Sequence, residues 1–270
     1  MRAEISIIKC RSALSPSRLP GLRYALNPYI GCEHACLYCY SPSTLRDEWM
    51  GLNWGKLVKV KQNIAEVLET ELRRRPAGVV GLGTTCDPYQ PAEAKFELTR
   101  KCIELLSFRN LSVCIQTKSS LILRDMDVIK PDGFEVGVTI TTMNRKLAEK
   151  LEPNASPPEA RARILEEFSS SGVRTWLFLG PIIPGVNDSQ ENFKQIVEVA
   201  KSTNSYLIYD KLNLRRWVLH RLGSFLDREY PGMKEQIPAL LASGSGYWKK
   251  ICTNIESICE AFEVECEPAF

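Results

Sequence analysis

Three cysteines lie within eight residues near the start of the chain, in the spacing CxxxCxxC at Cys32, Cys36 and Cys39. Thiolates at this spacing can converge on one metal centre because a short loop can fold around a small object. Zinc would need a fourth protein ligand, but the sequence has no second CxxC pair and only two histidines, His34 and His220. An iron–sulfur cubane takes four ligands, so three cysteines would leave one iron open. The spacing therefore predicts an open, catalytic iron–sulfur site; a non-catalytic zinc or electron-transfer centre is the alternative.

The composition is typical of a globular protein in a reducing compartment. The chain has 270 residues, of which 44% are hydrophobic and 25% charged, close to the averages for proteins with a buried core. Its ten cysteines are unevenly spread, unlike those of a short secreted disulfide scaffold. The first eleven residues carry charges and lack the apolar run of a signal peptide, and the longest uncharged apolar stretch is too short for a bilayer. We therefore expect a cytoplasmic protein without a membrane partner.

Strand-like segments alternate with helical periodicity through most of the chain. Such alternation predicts parallel βαβ units, in a sheet that either stays open or curls into a barrel. Both arrangements place the chemistry at the carboxyl ends of the strands, where the polar motifs of this sequence lie. The predicted fold class is therefore α/β. The predicted strands span 26–30, 79–83, 111–117, 134–142, 174–179 and 206–212, and the predicted helices between them span 61–75, 92–107, 121–130, 158–171 and 190–202.

The pattern changes after residue 214. Two amphipathic helices are predicted at 217–228 and 247–262, joined by a Pro/Gly/Ser-rich stretch and followed by a short edge strand at 262–266. We interpret this part as a helical cap on the sheet. It carries Cys252, Cys259 and Cys266, spaced seven apart, which raises the question of an auxiliary cluster. Seven helical residues span ~10.5 Å, so these thiols would need a break in the helix to converge.

The cysteine run resembles the motif of the radical S-adenosylmethionine (SAM) superfamily. Further segments resemble relatives of spore photoproduct lyase, the DNA repair photolyase-like branch; they are Asn27–His34, Gly83–Glu93, Thr117–Ser119, Arg124–Asp125, Leu151–Pro153 and Pro181–Asp188. The resemblance implies a partial (β/α)6 TIM-type barrel over 26–215, with an N-terminal segment at 1–25 and a helical C-terminal cap at 216–270. It also implies a [4Fe–4S] cluster and SAM as cofactors. The expected reaction is reductive cleavage of SAM to a 5′-deoxyadenosyl radical, which abstracts hydrogen from a substrate.

The resemblance also implies roles for residues at the strand ends. Cys32, Cys36 and Cys39 would bind the cluster, and the aromatic Tyr38 would pack near the adenine of SAM. The remaining SAM contacts would be Thr84 and Thr85 to the amino group, Lys118 to the carboxylate, and Thr139 and Thr141 to the ribose hydroxyls. For Thr139 and Thr141 there is an alternative of equal weight, in which these β-branched residues only form part of the strand.

Cys86 follows the same strand end and is a candidate catalytic residue. Spore photoproduct lyase uses a cysteine near this position to return a hydrogen atom to its substrate radical. Here the lyase cysteine aligns with Thr84, and Cys86 is offset by two residues, where the lyase has a serine that contacts the cofactor. Cys86 is therefore a candidate hydrogen donor, a cofactor contact or a buried thiol. Tyr89 is the alternative hydrogen donor.

The substrate is less well defined than the cofactors. Nucleic acid is favoured by the resemblance, by Arg215, Arg216 and Arg221 after the last predicted strand, and by the aromatic Trp217 and Tyr247. The net charge of only +3 and the absence of an added nucleic-acid-binding domain argue against it. A peptide or a small molecule is the alternative. The expected protein partner is a reductant such as ferredoxin or flavodoxin.

Overall fold

Parallel strands form the central sheet of the computed structural model, which describes residues 3–45, 47–74, 76–108 and 111–269. The strands are β1 (Glu4–Ile8), β2 (Leu14–Pro16), β3 (Tyr24–Leu26), β4 (Tyr29–Ile30), β5 (Leu57–Lys61), β6 (Val79–Leu82), β7 (Ser112–Thr117), β8 (Phe134–Thr139), β9 (Arg174–Ile182), β10 (Tyr206–Lys211) and β11 (Cys266–Pro268). Strands β1, β4 and β5 form a separate small sheet, and the others form the central sheet. In the central sheet, β3 and β6 to β10 run parallel in chain order; β11 extends the sheet parallel to β10, and β2 pairs antiparallel with β3. The sheet stays open between β2 and β11 within the described residues, as a partial barrel requires.

The central strands are built from β-branched and aromatic residues that pack on both faces. In β8 all but Glu135 are buried, and Val136 and Val138 are fully inaccessible. Near-continuous burial of this kind is expected of parallel strands that are covered by helices on at least one face and by packed side chains on the other. The five predicted strands from 79 to 212 all appear, with ends that shift by up to three residues.

The first predicted strand, 26–30, is divided in the structure. Residues up to Leu26 pair with β6 in the central sheet, whereas Tyr29–Ile30 pair with β5 in the small sheet. Pro28 lies between them, and a proline has no N–H to continue a hydrogen-bonded ladder. The chain therefore changes sheets at Asn27–Pro28, just before the cysteine loop.

Helices cover the sheet, and most lie where the sequence predicts them. They are α1 (Glu48–Leu52), α2 (Ile64–Leu72), α3 (Glu93–Phe96), α4 (Leu98–Ser107), α5 (Arg145–Leu151), α6 (Pro158–Ser170), α7 (Gln190–Ser202), α8 (Val218–Glu229), α9 (Met233–Leu241) and α10 (Tyr247–Phe262). In the described part of the chain, none of these helices is long and apolar enough to cross a membrane.

Three helix predictions need correction. The helix predicted from residue 61 begins at Ile64 because the preceding residues form β5, and its predicted end, Arg75, lies outside the described residues. The helix predicted over 92–107 is interrupted at Glu97, whose φ of 52° is left-handed. The segment predicted as a helix over 121–130 forms a short 3-10 helix, Ser120–Asp125, where ion pairs with Arg100 and Arg124 hold the buried Asp125.

The C-terminal helices pack directly on the sheet. Helix α10 contacts α7 and buries Ile251, Ile255 and Cys259 in the main core. The edge strand predicted at 262–266 lies instead at Cys266–Pro268, because α10 continues through Phe262 before it ends. Helix α9 occupies the stretch that the sequence predicts only as a Pro/Gly/Ser-rich connection.

Candidate active site

The cysteine loop follows β4 and lies at the carboxyl ends of the central strands. Cys32 and Cys36 are buried, and Cys39 is partly exposed. The loop turns sharply at Gly31, whose φ is 91°, and a Cβ on this residue would lie 2.3 Å from the carbonyl oxygen of Leu57. Only glycine fits this turn. Cys32 and Cys39 each lie close enough to Cys36 to interact with it electrostatically, and burial raises the pKa of the Cys36 thiol to about 12.

Side chains from distant segments hold the backbone of this loop. Gln90 donates from Nε2 to the carbonyl of Gly31 at 3.1 Å and accepts the amide of Glu33 at 3.0 Å. Asn154 donates to the carbonyl of Glu33 at 2.7 Å. Gln90 and Asn154 therefore position the loop. The sequence alone did not predict this role for either residue.

Asp87 connects the loop to two strand ends. One carboxylate oxygen accepts the hydroxyl of Thr117 at 2.6 Å; the other accepts the amide of Lys118 at 2.8 Å and lies 3.2 Å from Nδ1 of His34. Burial raises the pKa of Asp87, but His34, Lys118 and Thr117 together hold it well below its usual range. The carboxylate therefore acts as a fixed junction between β6, β7 and the loop.

Lys118 lies beside the cysteine loop, as the sequence predicts for a strand-end lysine. Burial lowers the pKa of its ammonium, but the charges of Cys36, Asp87 and Glu152 together raise it above its usual value. Its Nζ makes no hydrogen bond or ion pair with another described residue. The structure thus brings a cation with free donors to the edge of the cysteine loop.

Asn27 holds the segment after β6 in place. Its Nδ2 donates to the Thr84 hydroxyl at 2.9 Å, and its Oδ1 accepts the amide of Thr85 at 3.2 Å. Cys86 is buried, and its thiol donates to the carbonyl of Tyr29 at 3.3 Å. Thr84 is partly exposed and Thr85 exposed, so both side chains remain accessible beside the buried thiol.

The two candidate hydrogen donors lie in different surroundings. Cys86 is within electrostatic range of Cys32, and burial raises the pKa of its thiol to about 12. Tyr89 is fully buried, and burial and the nearby charge of Asp125 raise its pKa well above the usual value. The structure therefore places Cys86 near the cysteine loop, whereas the Tyr89 hydroxyl faces a separate buried ion-pair network.

A buried polar network lies beneath the loop. The hydroxyl of Tyr38 donates to Glu152, and Glu152 forms a 2.5 Å ion pair with Arg161, in which both side chains are almost inaccessible. The Thr141 hydroxyl donates to Glu152 at 3.4 Å, and the Thr139 hydroxyl accepts from Gln116 at 3.2 Å. The two threonines are thus buried and already have protein partners. Sequence reasoning missed Arg161, because a single arginine within a helix gives no local signal of burial.

Three arginines approach the loop from the segment that follows β10 and from the first turn of α8. Arg221 donates from Nη2 to the carbonyls of Ala35 at 3.2 Å and Cys36 at 2.8 Å. Arg215 and Arg216 are exposed, and the Arg216 guanidinium lies 4.6 Å from the ring centroid of Trp217. Tyr247, the other aromatic residue that the sequence suggests for nucleic-acid binding, lies at the start of α10, and its hydroxyl donates to Asp188 at 2.9 Å.

The C-terminal cysteines do not form a set of three. Cys259 and Cys266 lie beside each other, whereas Cys252 lies beside Tyr209. Among the described residues, no three His, Cys, Asp or Glu side chains gather closely enough to hold one metal ion.

Comparison with known proteins identifies the family. The sequence model of the Radical SAM superfamily matches residues 26–201. An uncharacterized protein of Methanocaldococcus jannaschii is 31% identical over 238 residues, which cover 87% of each chain. The Radical SAM Nalpha-GlyT isomerase of Pseudomonas phage M6 is 23% identical over 181 residues, covering 65% of this chain and 37% of that protein. The chain belongs to the radical SAM superfamily.

Solved structures share the fold. Spore photoproduct lyase, in a variant with bound AdoMet and dinucleoside spore photoproduct, has a TM-score of 0.75 at 13% identity and covers 98% of this chain and 82% of its own. A radical SAM methyltransferase from Sphaerobacter thermophilus has a TM-score of 0.60 at 16% identity and covers 91% of this chain and 65% of its own. Radical SAM enzymes use a [4Fe–4S] cluster, SAM and a reductant. The protein is therefore a radical SAM enzyme, and the predicted fold and cofactors are confirmed.

The residues around the loop fit an iron–sulfur cluster. Three thiols on one short loop are the soft ligands that such clusters take. A cluster would take these thiolates on separate metal atoms, so the three thiols need not surround a single ion. In addition, Nη1 of Arg221 is buried beside these thiols without a hydrogen-bond partner among the described residues. A cation with a spare buried donor complements an anionic group held by the loop.

Proposed function

We propose that Cys32, Cys36 and Cys39 hold the [4Fe–4S] cluster of this radical SAM enzyme. The observation that supports the proposal is that these three cysteines share one short loop at the strand ends, with the cations Lys118 and Arg221 beside it. When bound, the cluster and SAM supply a 5′-deoxyadenosyl radical. The protein positions both cofactors and shields the reaction from water.

Lys118, Thr84 and Thr85 are the proposed polar contacts of SAM. Lys118 has free donors for the carboxylate, and the two threonines stand at a neighbouring strand end with accessible side chains. Tyr38 is proposed to flank the adenine while its hydroxyl stays on Glu152. The ribose role of Thr139 and Thr141 has less support, since their hydroxyls already have partners; this favours their alternative role in the strand and the buried network.

Cys86 is the proposed hydrogen-atom donor. A donor of this kind needs a neutral S–H group, and a pKa of about 12 keeps the thiol protonated at neutral pH. Its position within electrostatic range of Cys32 places it near the proposed cluster. The offset from the lyase pattern argues that the reaction on the substrate differs from that of spore photoproduct lyase.

Nucleic acid is the proposed substrate. An exposed surface of aromatic and basic residues lies next to the cysteine loop; we call it the aromatic rim, and it comprises Trp49, Arg215, Arg216, Trp217 and His220. Trp49 is 60% exposed, and Ser43, four residues after Cys39, accepts the amide of Trp217 at 3.4 Å. Aromatic rings stack on bases, and arginines contact phosphates. A structural neighbour, spore photoproduct lyase, is complexed with a dinucleoside spore photoproduct.

Alanine substitution of the three loop cysteines tests the cluster assignment. We expect Cys32→Ala, Cys36→Ala and Cys39→Ala each to lose most of the bound iron and the brown absorbance after anaerobic reconstitution. Cys102→Ala is the matched control, because Cys102 is a fully buried cysteine of helix α4, outside the cysteine loop. Wild-type protein should hold about four irons with sulfide. Full iron content in a variant that lacks all three loop cysteines, or one zinc per chain in the wild type, would overturn the assignment.

A further inference from the structure

Arg221 reaches the cysteine loop from a separate part of the chain. It lies in the first turn of α8, and its Nη2 donates to two successive carbonyls, those of Ala35 and Cys36. Ala35 needs such support because its φ of 55° is left-handed, which is unfavourable for a residue other than glycine. The arginine therefore holds the loop at the turn between the first two cysteines.

The rest of the guanidinium has no protein partner. Nη1 of Arg221 is buried without a hydrogen bond, and no carboxylate in the described ranges forms an ion pair with this arginine. The charges that act on it are those of Cys39, Cys36 and Cys32. Guanidinium stays charged in proteins, so the structure contains a partly buried cation, with an inaccessible Nη1, whose charged neighbours are the three loop cysteines. An unpaired buried cation is unfavourable unless an anionic group lies next to it.

We propose that Arg221 is a positioning residue that raises the reduction potential of the cluster. The inference rests on the proposed function of the loop cysteines. In the reduction step a donor of the ferredoxin or flavodoxin class loses one electron, and the site held by the three thiolates gains it. The site thereby becomes more negative, so a neighbouring fixed cation stabilises the reduced form relative to the oxidised one. Hydrogen bonds and charge near the sulfurs are known determinants of such potentials.

Two substitutions of Arg221 distinguish the effect of its charge from its support of the loop backbone. Arg221→Lys retains the charge but loses the planar fork that reaches two carbonyls. Arg221→Gln loses the charge and keeps one amide donor. Arg228→Gln is the matched control: it makes the same charge change two turns further along α8, where Arg228 is exposed and pairs with Glu229.

The test is a redox titration of each reconstituted full-length protein, followed by electron paramagnetic resonance, with iron counted in parallel. We expect Arg221→Gln to shift the one-electron equilibrium about tenfold toward the oxidised form, a fall of about 59 mV in midpoint potential. Arg221→Lys should fall by less, and Arg228→Gln should match the wild type.

Two results would overturn the proposal. The first is an unchanged potential in Arg221→Gln at full iron content. The second is a loss of iron in which the remaining clusters keep the wild-type potential, because this would mean that Arg221 only supports the loop. If iron loss prevents the titration, the midpoint potential of the double variant Ala35→Gly, Arg221→Gln is compared with that of Ala35→Gly alone. Glycine at position 35 adopts the left-handed turn without support from Arg221. If the cysteine variants keep their iron, the proposed function fails instead.

Discussion

At the residue scale, the ion pair of Glu152 with Arg161 is the most deeply buried charge interaction near the site. Both side chains are at most 1% exposed, and Arg161 also donates to the carbonyls of Ser156 and Thr139. Removing one partner of such a pair leaves the other charge buried and uncompensated. The network therefore supports Tyr38 and the strand end at Thr139 only as long as both charges remain.

We predict that Glu152→Ala destabilises the fold by about 3–5 kcal/mol, the usual cost of breaking a buried ion pair. Glu152→Gln should cost less because it keeps hydrogen-bonding atoms. Urea unfolding measures the difference. Glu167→Gln is the control, since its pair with Arg163 is exposed and should contribute little. Equal effects of Glu152→Ala and the control would show that the buried pair does not stabilise the fold.

The same pair predicts a pH dependence. Burial raises the pKa of Glu152, but the charges of Arg161 and Lys118 lower it by more than burial raises it. The folded-state pKa therefore lies below the ordinary value of about 4.3. The contribution of Glu152 to stability is thus complete above about pH 4.3 and is lost as the pH falls through the folded-state pKa. Between these values the melting temperature should fall more steeply with acidification in the wild type than in Glu152→Gln. Parallel curves for the two proteins would contradict this prediction.

At the element scale, Gly83 lets the chain turn from β6 into the segment of Thr84, Thr85 and Cys86. Its φ is 94°, and a Cβ would lie 2.3 Å from the carbonyl oxygen of Gln116 on the neighbouring strand. A side chain here must displace either the strand end or the candidate cofactor contacts.

We predict that Gly83→Ala lowers both the free energy of unfolding and the iron content after reconstitution. Gly244→Ala is the control: its φ of 88° is similar, but nothing lies within 4 Å of the added Cβ. The control should cost about 1–2 kcal/mol of backbone strain and leave the iron content unchanged. Equal losses in the two variants would mean that the close approach to Gln116 has no effect.

Elements with strong local patterns could be predicted from the sequence. The runs in β7 to β10 are rich in hydrophobic residues, and their ends lie within three residues of the prediction. Helices α7 and α10 have clear amphipathic periodicity, and their bounds agree with the prediction. The segment after Ser119 was predicted wrongly because ion pairs from Arg100 and Arg124, one of them on another helix, override its local periodicity. The contacts of Arg221 join residues 185 and 186 positions apart, and those of Arg161 depend on how α6 packs on the strand ends, so sequence spacing carries no signal of either.

At the scale of the whole molecule, charge is unevenly placed. The net charge is only +3, yet exposed Arg215 and Arg216 lie together beside the cysteine loop with two tryptophans of the aromatic rim. The overall charge therefore does not describe the surface that a substrate would meet. Arg216 also pairs with Glu48 at 2.6 Å, an exposed contact that a phosphate can replace.

We predict that the protein binds single-stranded oligonucleotides in a salt-dependent manner through the aromatic rim. Trp49→Ala should weaken binding by about tenfold, as expected for loss of one stacked base. Arg215→Gln should reduce the slope of log affinity against log salt by about 0.7. Fluorescence anisotropy measures both, with Arg163→Gln on α6 as the control for a change in net charge. Absence of binding at low salt, or equal effects of all three variants, would favour a peptide or small-molecule substrate.

Formation of 5′-deoxyadenosine tests the central claim most directly, because it requires the loop cysteines, the cluster and SAM together. Anaerobically reconstituted wild-type protein is incubated with SAM and a reductant, and the product is measured by chromatography with mass detection. We predict formation of 5′-deoxyadenosine by the wild type and by Cys102→Ala, and none above background by the variant lacking Cys32, Cys36 and Cys39. Equal formation by that triple variant, or none by wild-type protein with a full complement of iron, would contradict the account.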